Sequence, residues 1–256
     1  MERAKLYGLI LILLAVSAVQ ATPASNGFQT TDETERRFEQ GVAKAESGRY
    51  QEAVDEFKRA LLLKPDFAEA YSNMGYAYVK LQRYEEATRA FEQAILLNPA
   101  LAEAHNNLGF VYAQQRRFDK AVAAFSQSLR IRQNYAFAHL NIGMVYAELH
   151  RFQDAIASLK QAVQLKPDFA EAHHNLGYVL NRAGKHEEAV AAYKQAILLK
   201  PDFAAAYHNL AVAYLDAGSR GLALEQYDRL KVVNREAADK LLDVINQDRF
   251  VVVRKR

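Results

Sequence analysis

The chain has 256 residues, half of them hydrophobic, with 33 basic and 30 acidic side chains and a net charge of +3. That length can bury a substantial core, and the mixed charge lacks the clustered lysine and arginine that nucleic acid requires. With no cysteine, disulfides, thiolate metal sites, thiol nucleophiles, cysteine-linked haem and a lipid-modified N-terminal cysteine are excluded.

The N-terminus reads as an export signal. Arg3 and Lys5 precede a run from Leu6 to Val19 that is apolar except for Gly8 and Ser17, and Val19-Gln20-Ala21 suits signal peptidase. The run of 14 residues is short beside the roughly 20 of a spanning helix. Cleavage of residues 1–21 after Ala21 is predicted, with the mature chain in the periplasm or outside the cell. The alternative is an uncleaved N-terminal anchor, the one case in which membrane contact is predicted. Residues 22–33, opening TPASNGFQTT, read as a flexible linker.

Beyond the linker the chain repeats itself. KPDFAEA at Lys64–Ala70 returns at Lys166–Ala172 and, as KPDFAAA, at Lys200–Ala206. The starts differ by 102 and 34 residues, which defines six blocks of 34: 34–67, 68–101, 102–135, 136–169, 170–203 and 204–237. Position eight is Gly41, Gly75, Gly109, Gly143, Gly177 or Ala211, and position twenty is alanine throughout, from Ala53 to Ala223. Position twenty-four is Phe57, Phe91, Phe125, Leu159, Tyr193 or Tyr227, and Pro65, Pro99, Pro167 and Pro201 share position thirty-two.

This pattern resembles the tetratricopeptide repeat, with L-G-x-x-Y, then A-x-x-x-F, then P at a period of 34. The resemblance covers 204 of the 256 residues. It implies an all-α, right-handed α-solenoid of antiparallel helical hairpins with a concave groove that holds ligands. Position four departs from the family's tryptophan, carrying Tyr71, His105, His139, His173 and Tyr207, which read as packing residues. The first repeat is degenerate, with Arg37 and Gln40 where bulk is usual.

The residues support the same reading directly. Tyr71, Met74, Gly75 and Tyr78 form one stripe of a helix, and Ala87, Phe91 and Ala94 a second. Small residues at positions eight and twenty let the two helices approach closely. Pro65 ends the preceding helix, and Asp66 with Glu69, like Asp168 with Glu171, is placed as a capping pair for the next. Residues 238–248 read as a final capping helix with Ala238, Leu241, Leu242 and Ile245 on one face, followed by a basic tail at 249–256.

Function is sought on the first helix of each hairpin. At 100° per residue, positions four, seven, eight and eleven face the hairpin partner, and positions two, five, six, nine, twelve and thirteen face away. Position six is Asn73, Asn107, Asn141, Asn175 and Asn209 in five consecutive repeats. Side-chain amides can pair with any peptide unit, and helices about 8–10 Å apart match about three residues of extended chain. The row resembles the asparagine ladder in the repeats of O-linked N-acetylglucosamine transferase. Local hydrogen bonding is the competing reading. Tyr76, Phe110, Met144 and Tyr178 at position nine read either as ligand pockets or as contacts between adjacent first helices. His174 and His208, at position five, are added to the candidate peptide-binding groove.

Several chemistries find no support in the sequence. No lysine or arginine occupies positions two, five, six or nine, so the clamp with which chaperone-tail-binding members of the family hold a C-terminal carboxylate is missing. His174 and His208 stand one repeat apart without a third ligand, too far to share zinc. There is no phosphate loop, nucleophile elbow or zinc-protease helix. The sequence therefore predicts a non-enzymatic scaffold without cofactor, metal or nucleic acid. It is expected to bind an extended segment of a protein partner and to aid assembly of a cell-envelope complex. The alternative is a structural component that self-associates through its repeat ends or convex faces.

Overall fold

The computed structural model describes residues 29–254; the expected export signal at 1–21 and residues 22–28 of the expected linker lie outside them. The described residues form thirteen helices and no strand. Six hairpins run in order: α1 (Gln29–Glu46) with α2 (Tyr50–Leu63), α3 (Ala68–Lys80) with α4 (Tyr84–Leu97), α5 (Ala102–Gln114) with α6 (Phe118–Ile131), α7 (Ala136–Glu148) with α8 (Phe152–Leu165), α9 (Ala170–Arg182) with α10 (His186–Leu199), and α11 (Ala204–Asp216) with α12 (Arg220–Val233). A thirteenth helix, α13 (Arg235–Arg254), follows. The helices fall into two compact units divided within α7 after Asn141, the first holding the described residues 29–141 and the second residues 142–254. No helix among the described residues is long and apolar enough to cross a membrane.

Each hairpin closes on the small and bulky residues that the repeat pattern supplies. The alanines at position twenty are all fully buried, as are Phe57, Phe91, Phe125 and Leu159 at position twenty-four. The hairpin turn is built the same way six times. Position fifteen is left-handed in every repeat: φ is 77° at Gly48 and Gly184 and 74° at Gly218, but 58° at the non-glycine residues Gln82, Arg116 and His150. In the first hairpin Arg49 N–H reaches back to the Lys44 carbonyl over 2.8 Å and Gly48 N–H to that of Ala45 over 3.0 Å, which satisfies the last carbonyls of α1.

Between hairpins the structure corrects the capping expectation. Helix α3 has Phe67 at its N-cap and α9 has Phe169, neither with a side-chain cap bond, and Asp66 and Asp168 fall one residue too early. Phe67 N–H instead bonds the Lys64 carbonyl over 3.3 Å, so Pro65-Asp66 forms a turn. The aromatic ring at the cap position packs inward: Phe169 is 3% exposed, and Phe67, half-buried, packs on Phe38 with ring centroids 4.8 Å apart. The histidines at position four tie these turns down. His105, His139 and His173 donate through Nε2 to the carbonyls of Pro99, Gln133 and Pro167 over 3.1, 3.0 and 2.9 Å.

The two ends also differ from expectation. Helix α1 begins at Gln29, so residues 29–33 of the stretch read as a linker are helical. Helix α13 starts at Arg235 rather than 238 and runs through most of the segment read as a tail. Ala238, Leu241 and Ile245 are fully buried, α13 packs on α11 and α12, and Arg220 hydrogen-bonds the Ile245 carbonyl.

The degenerate first repeat has a physical explanation. Arg37 and Lys44 stand at positions four and eleven, and the carboxylate of Glu56, 3% exposed, receives Arg37 at 3.2 Å, Lys44 at 2.7 Å and Arg59 at 2.9 Å. An ionic cluster thus fills the place that aromatic residues such as Tyr71 and Tyr78 fill in the next repeat. Burial pushes the Glu56 carboxyl up, but the hydrogen bonds from Lys44 and Arg37 outweigh it and hold the group below its ordinary value.

Candidate functional site

The away-facing side of the first helices is organised around the asparagine row, and the row lies deeper than its periodicity suggests. Asn73 is 5% exposed and Asn107, Asn141 and Asn175 are fully buried; Asn209 alone is partly open. In the first unit Asn106 Nδ2 donates to Asn107 Oδ1 over 3.2 Å, and Asn141 Nδ2 donates to Asn106 Oδ1 over 3.1 Å. Asn73 Nδ2 turns back to the Glu69 carbonyl over 3.0 Å.

The second unit repeats this geometry with a different side chain. His174, fully buried, donates through Nδ1 to Asn175 Oδ1 over 3.3 Å, which leaves Nε2 to accept from Asn209 Nδ2 at 2.9 Å. Its ring lies 4.9 Å from that of Phe203 and 5.7 Å from that of Tyr193. Burial pushes the imidazole down to about 4, against smaller upward pulls from Asn175 and Glu171. His208 is also buried and is pushed down to about 4 by desolvation.

The expectation that five amides stand open to a guest is therefore corrected at Asn73, Asn107, Asn141 and Asn175. Asn141 and Asn209 find partners on the preceding repeat, and a position-five side chain supplies each, while the same side chains also bond the adjacent amides Asn107 and Asn175. That bridging role, carried by Asn106 and His174, was missed. Its signal was present as the adjacent pairs Asn106-Asn107, His174-Asn175 and His208-Asn209. Met144 at position nine is likewise buried, 1% exposed.

What stays half-exposed beside the row is aromatic. In the first unit these residues are Tyr76 and Phe110; the Tyr76 ring stands edge-on to Tyr50 at 6.4 Å, with the Lys80 ammonium 5.3 Å from its centre. In the second unit Tyr178 accepts a hydrogen bond at its hydroxyl from Arg182 over 2.9 Å. The opposite side of α5 borders a cavity of about 490 Å³ between α4 and α6, lined by Ile95, Leu96, Leu108, Tyr112, Ala123 and Ala124 among others.

Comparison with known proteins agrees with this architecture. A family model described as TPR repeat matches residues 41–82, 75–116 and 179–218, and two described as tetratricopeptide repeat match 100–168 and 140–198. No curated protein sequence matches the chain. Among solved structures, PilW, a widely conserved type IV pilus biogenesis factor, is 23% identical with a TM-score of 0.76, covering 86% of this chain and all of that one. The APC/C hetero-tetramer Cut9-Hcn1 gives 19% identity and a TM-score of 0.74 over 85% of this chain, which spans 43% of its counterpart. YrrB, a TPR protein with an unusual peptide-binding site, gives 24% identity and 0.59 over 73% of this chain and 97% of that one. The chain belongs to the tetratricopeptide repeat family.

Proposed function

We propose that this tetratricopeptide repeat protein is a non-catalytic scaffold that holds an extended segment of a partner protein against its first helices, outside the cytoplasm, during assembly of an envelope complex. The observation that carries the reading is the pair Tyr76 and Phe110, apolar rings left half-exposed beside a buried polar row. Large apolar side chains that the hairpin core does not need mark interaction surfaces. Asn209 and Tyr178 offer comparable contacts in the second unit. The buried amides stiffen the platform rather than touching the guest. YrrB's peptide-binding site and the export signal expected from the sequence are in keeping with this role.

The test is site-specific photocrosslinking in the native cell. A crosslinker at Phe110 is expected to capture one defined partner, and the same group at the outward residue Lys58 is not. Capture from Lys58 alone, or from neither, would remove the reading. N-terminal sequencing of the mature chain tests export: a start at Thr22 is expected.

A second reading, self-association through outer faces, is favoured by Leu62 at 83% and Leu96 at 72% exposure. Light scattering over a concentration series separates the two, since only self-association raises the mass.

A further inference from the structure

We propose that the segment held by the first unit is basic, a lysine- or arginine-bearing stretch with apolar residues between its charges. This rests on the scaffold reading above and names the chemistry of the guest. The chain as a whole is net positive, yet the away-facing side of α1 is acidic. Positions two, six and thirteen of that helix are Glu35, Glu39 and Glu46, all exposed, with Val42 among them; Glu69 continues the row, half-buried, on α3.

These carboxylates are uncompensated. Glu33 and Glu56 are taken up by Arg36, Arg37, Lys44 and Arg59, and Glu103 on α5 by Arg132 at 2.6 Å. Glu35, Glu39, Glu46 and Glu69 have no ion-pair partner among the described residues. Glu35 and Glu39 are moreover like charges one turn apart, an arrangement that weakens a helix. Lys80 is the one basic side chain at positions two, five, six, nine or thirteen of α1, α3 and α5, and it shows what the neighbouring rings accept: its ammonium sits over Tyr76.

The spacing suits an extended cationic guest. Four and seven residues of helix separate the α1 carboxylates by about 6 Å and about 10 Å, close to two and three residues of extended chain. A lysine or arginine could thus set its charge against a glutamate of α1 while its aliphatic stem lies on Tyr76 of α3, the helix that α1 touches, and an apolar residue further along the guest meets Phe110. Complementary charge of this kind steers encounter and rejects acidic competitors.

The test uses the full chain and two fluorescein-labelled synthetic twelve-residue peptides that share an Ala, Val and Phe framework, one with four lysines and one with four glutamates. Anisotropy at low salt is expected to show the lysine peptide binding at least about tenfold tighter, with the preference shrinking at high salt. Glu35→Gln/Glu39→Gln/Glu46→Gln is expected to weaken the lysine peptide about tenfold without changing helicity, and Phe110→Ala, or Tyr76→Ala should that variant melt early, to weaken both peptides. Equal binding of the two peptides with a retained ring effect overturns the basic guest and leaves the scaffold standing. Binding that ignores both ring variants overturns the scaffold reading and this inference together. No binding of the lysine peptide overturns the inference alone.

Discussion

Asn141 donates to Asn106 over 3.1 Å, and both side chains are fully buried. One helix of the third repeat is thereby joined to one of the fourth by a bond that water cannot replace. Removing the bridge strands the partner amides, and each buried group left unpaired costs about 1–3 kcal/mol. Asn106→Ala is expected to lower stability by about 2–4 kcal/mol, read as a shifted denaturant midpoint. An open binding row would instead show lost partner affinity at unchanged stability.

His174 occupies in the second unit the place that Asn106 holds in the first. Its folded-state value near 4 lies below the ordinary 6.5, so the unfolded chain takes up the proton first. Stability therefore falls as pH drops from about 6.5 towards 4, by on the order of 3 kcal/mol at pH 4 for this group. His208 acts in the same direction and the same window. His174→Asn is expected to keep the bridge and to flatten the acid limb of the stability profile; an unchanged profile would show that the imidazole is not the proton acceptor.

A Cβ on Gly109 would stand 2.8 Å from Phe125 Cδ1, inside the fully buried ring. Gly109→Ala is expected to destabilise the first unit by about 1–3 kcal/mol through overpacking. Adding Phe125→Leu is expected to recover part of the loss in thermal unfolding. The sixth repeat tolerates Ala211 at this position because its counterpart, Tyr227, is only half-buried.

Glu56 and its three cations make a stability prediction with a built-in control. Glu56→Ala removes the shared carboxylate and leaves Arg37 only Glu33, at 2.7 Å, and Lys44 only Glu52, at 3.7 Å, and is expected to cost about 1–3 kcal/mol. Arg37→Tyr/Lys44→Tyr/Glu56→Ala restores the residue types that the second repeat carries as Tyr71, Tyr78 and Ala90. That triple variant is expected to match or exceed the parent chain in chemical denaturation, because apolar packing often equals a buried ion pair.

Amino-acid order by itself determined the repeat length, the hairpin and its tight seam. Glycine at position eight, alanine at twenty and a ring at twenty-four are each local consequences of how closely two helices must approach, so one repeat read alone reveals them. The fate of the outer row needed the tertiary structure. Helical periodicity assigns a direction to a side chain, but a first helix in a stack meets the next repeat as well as its own partner. Direction alone cannot separate a face open to a guest from one closed by a neighbour. Asn107, Asn141 and Asn175 were read as facing a guest and are fully buried; Asn106, beside Asn107 on the same helix, reaches across to Asn141, and His174, beside Asn175, reaches across to Asn209. The Glu56 cluster was hidden for a related reason: Arg37 and Lys44 lie 19 and 12 residues before it in the chain. Only the antiparallel return of α2 against α1 brings those charges within hydrogen-bonding distance.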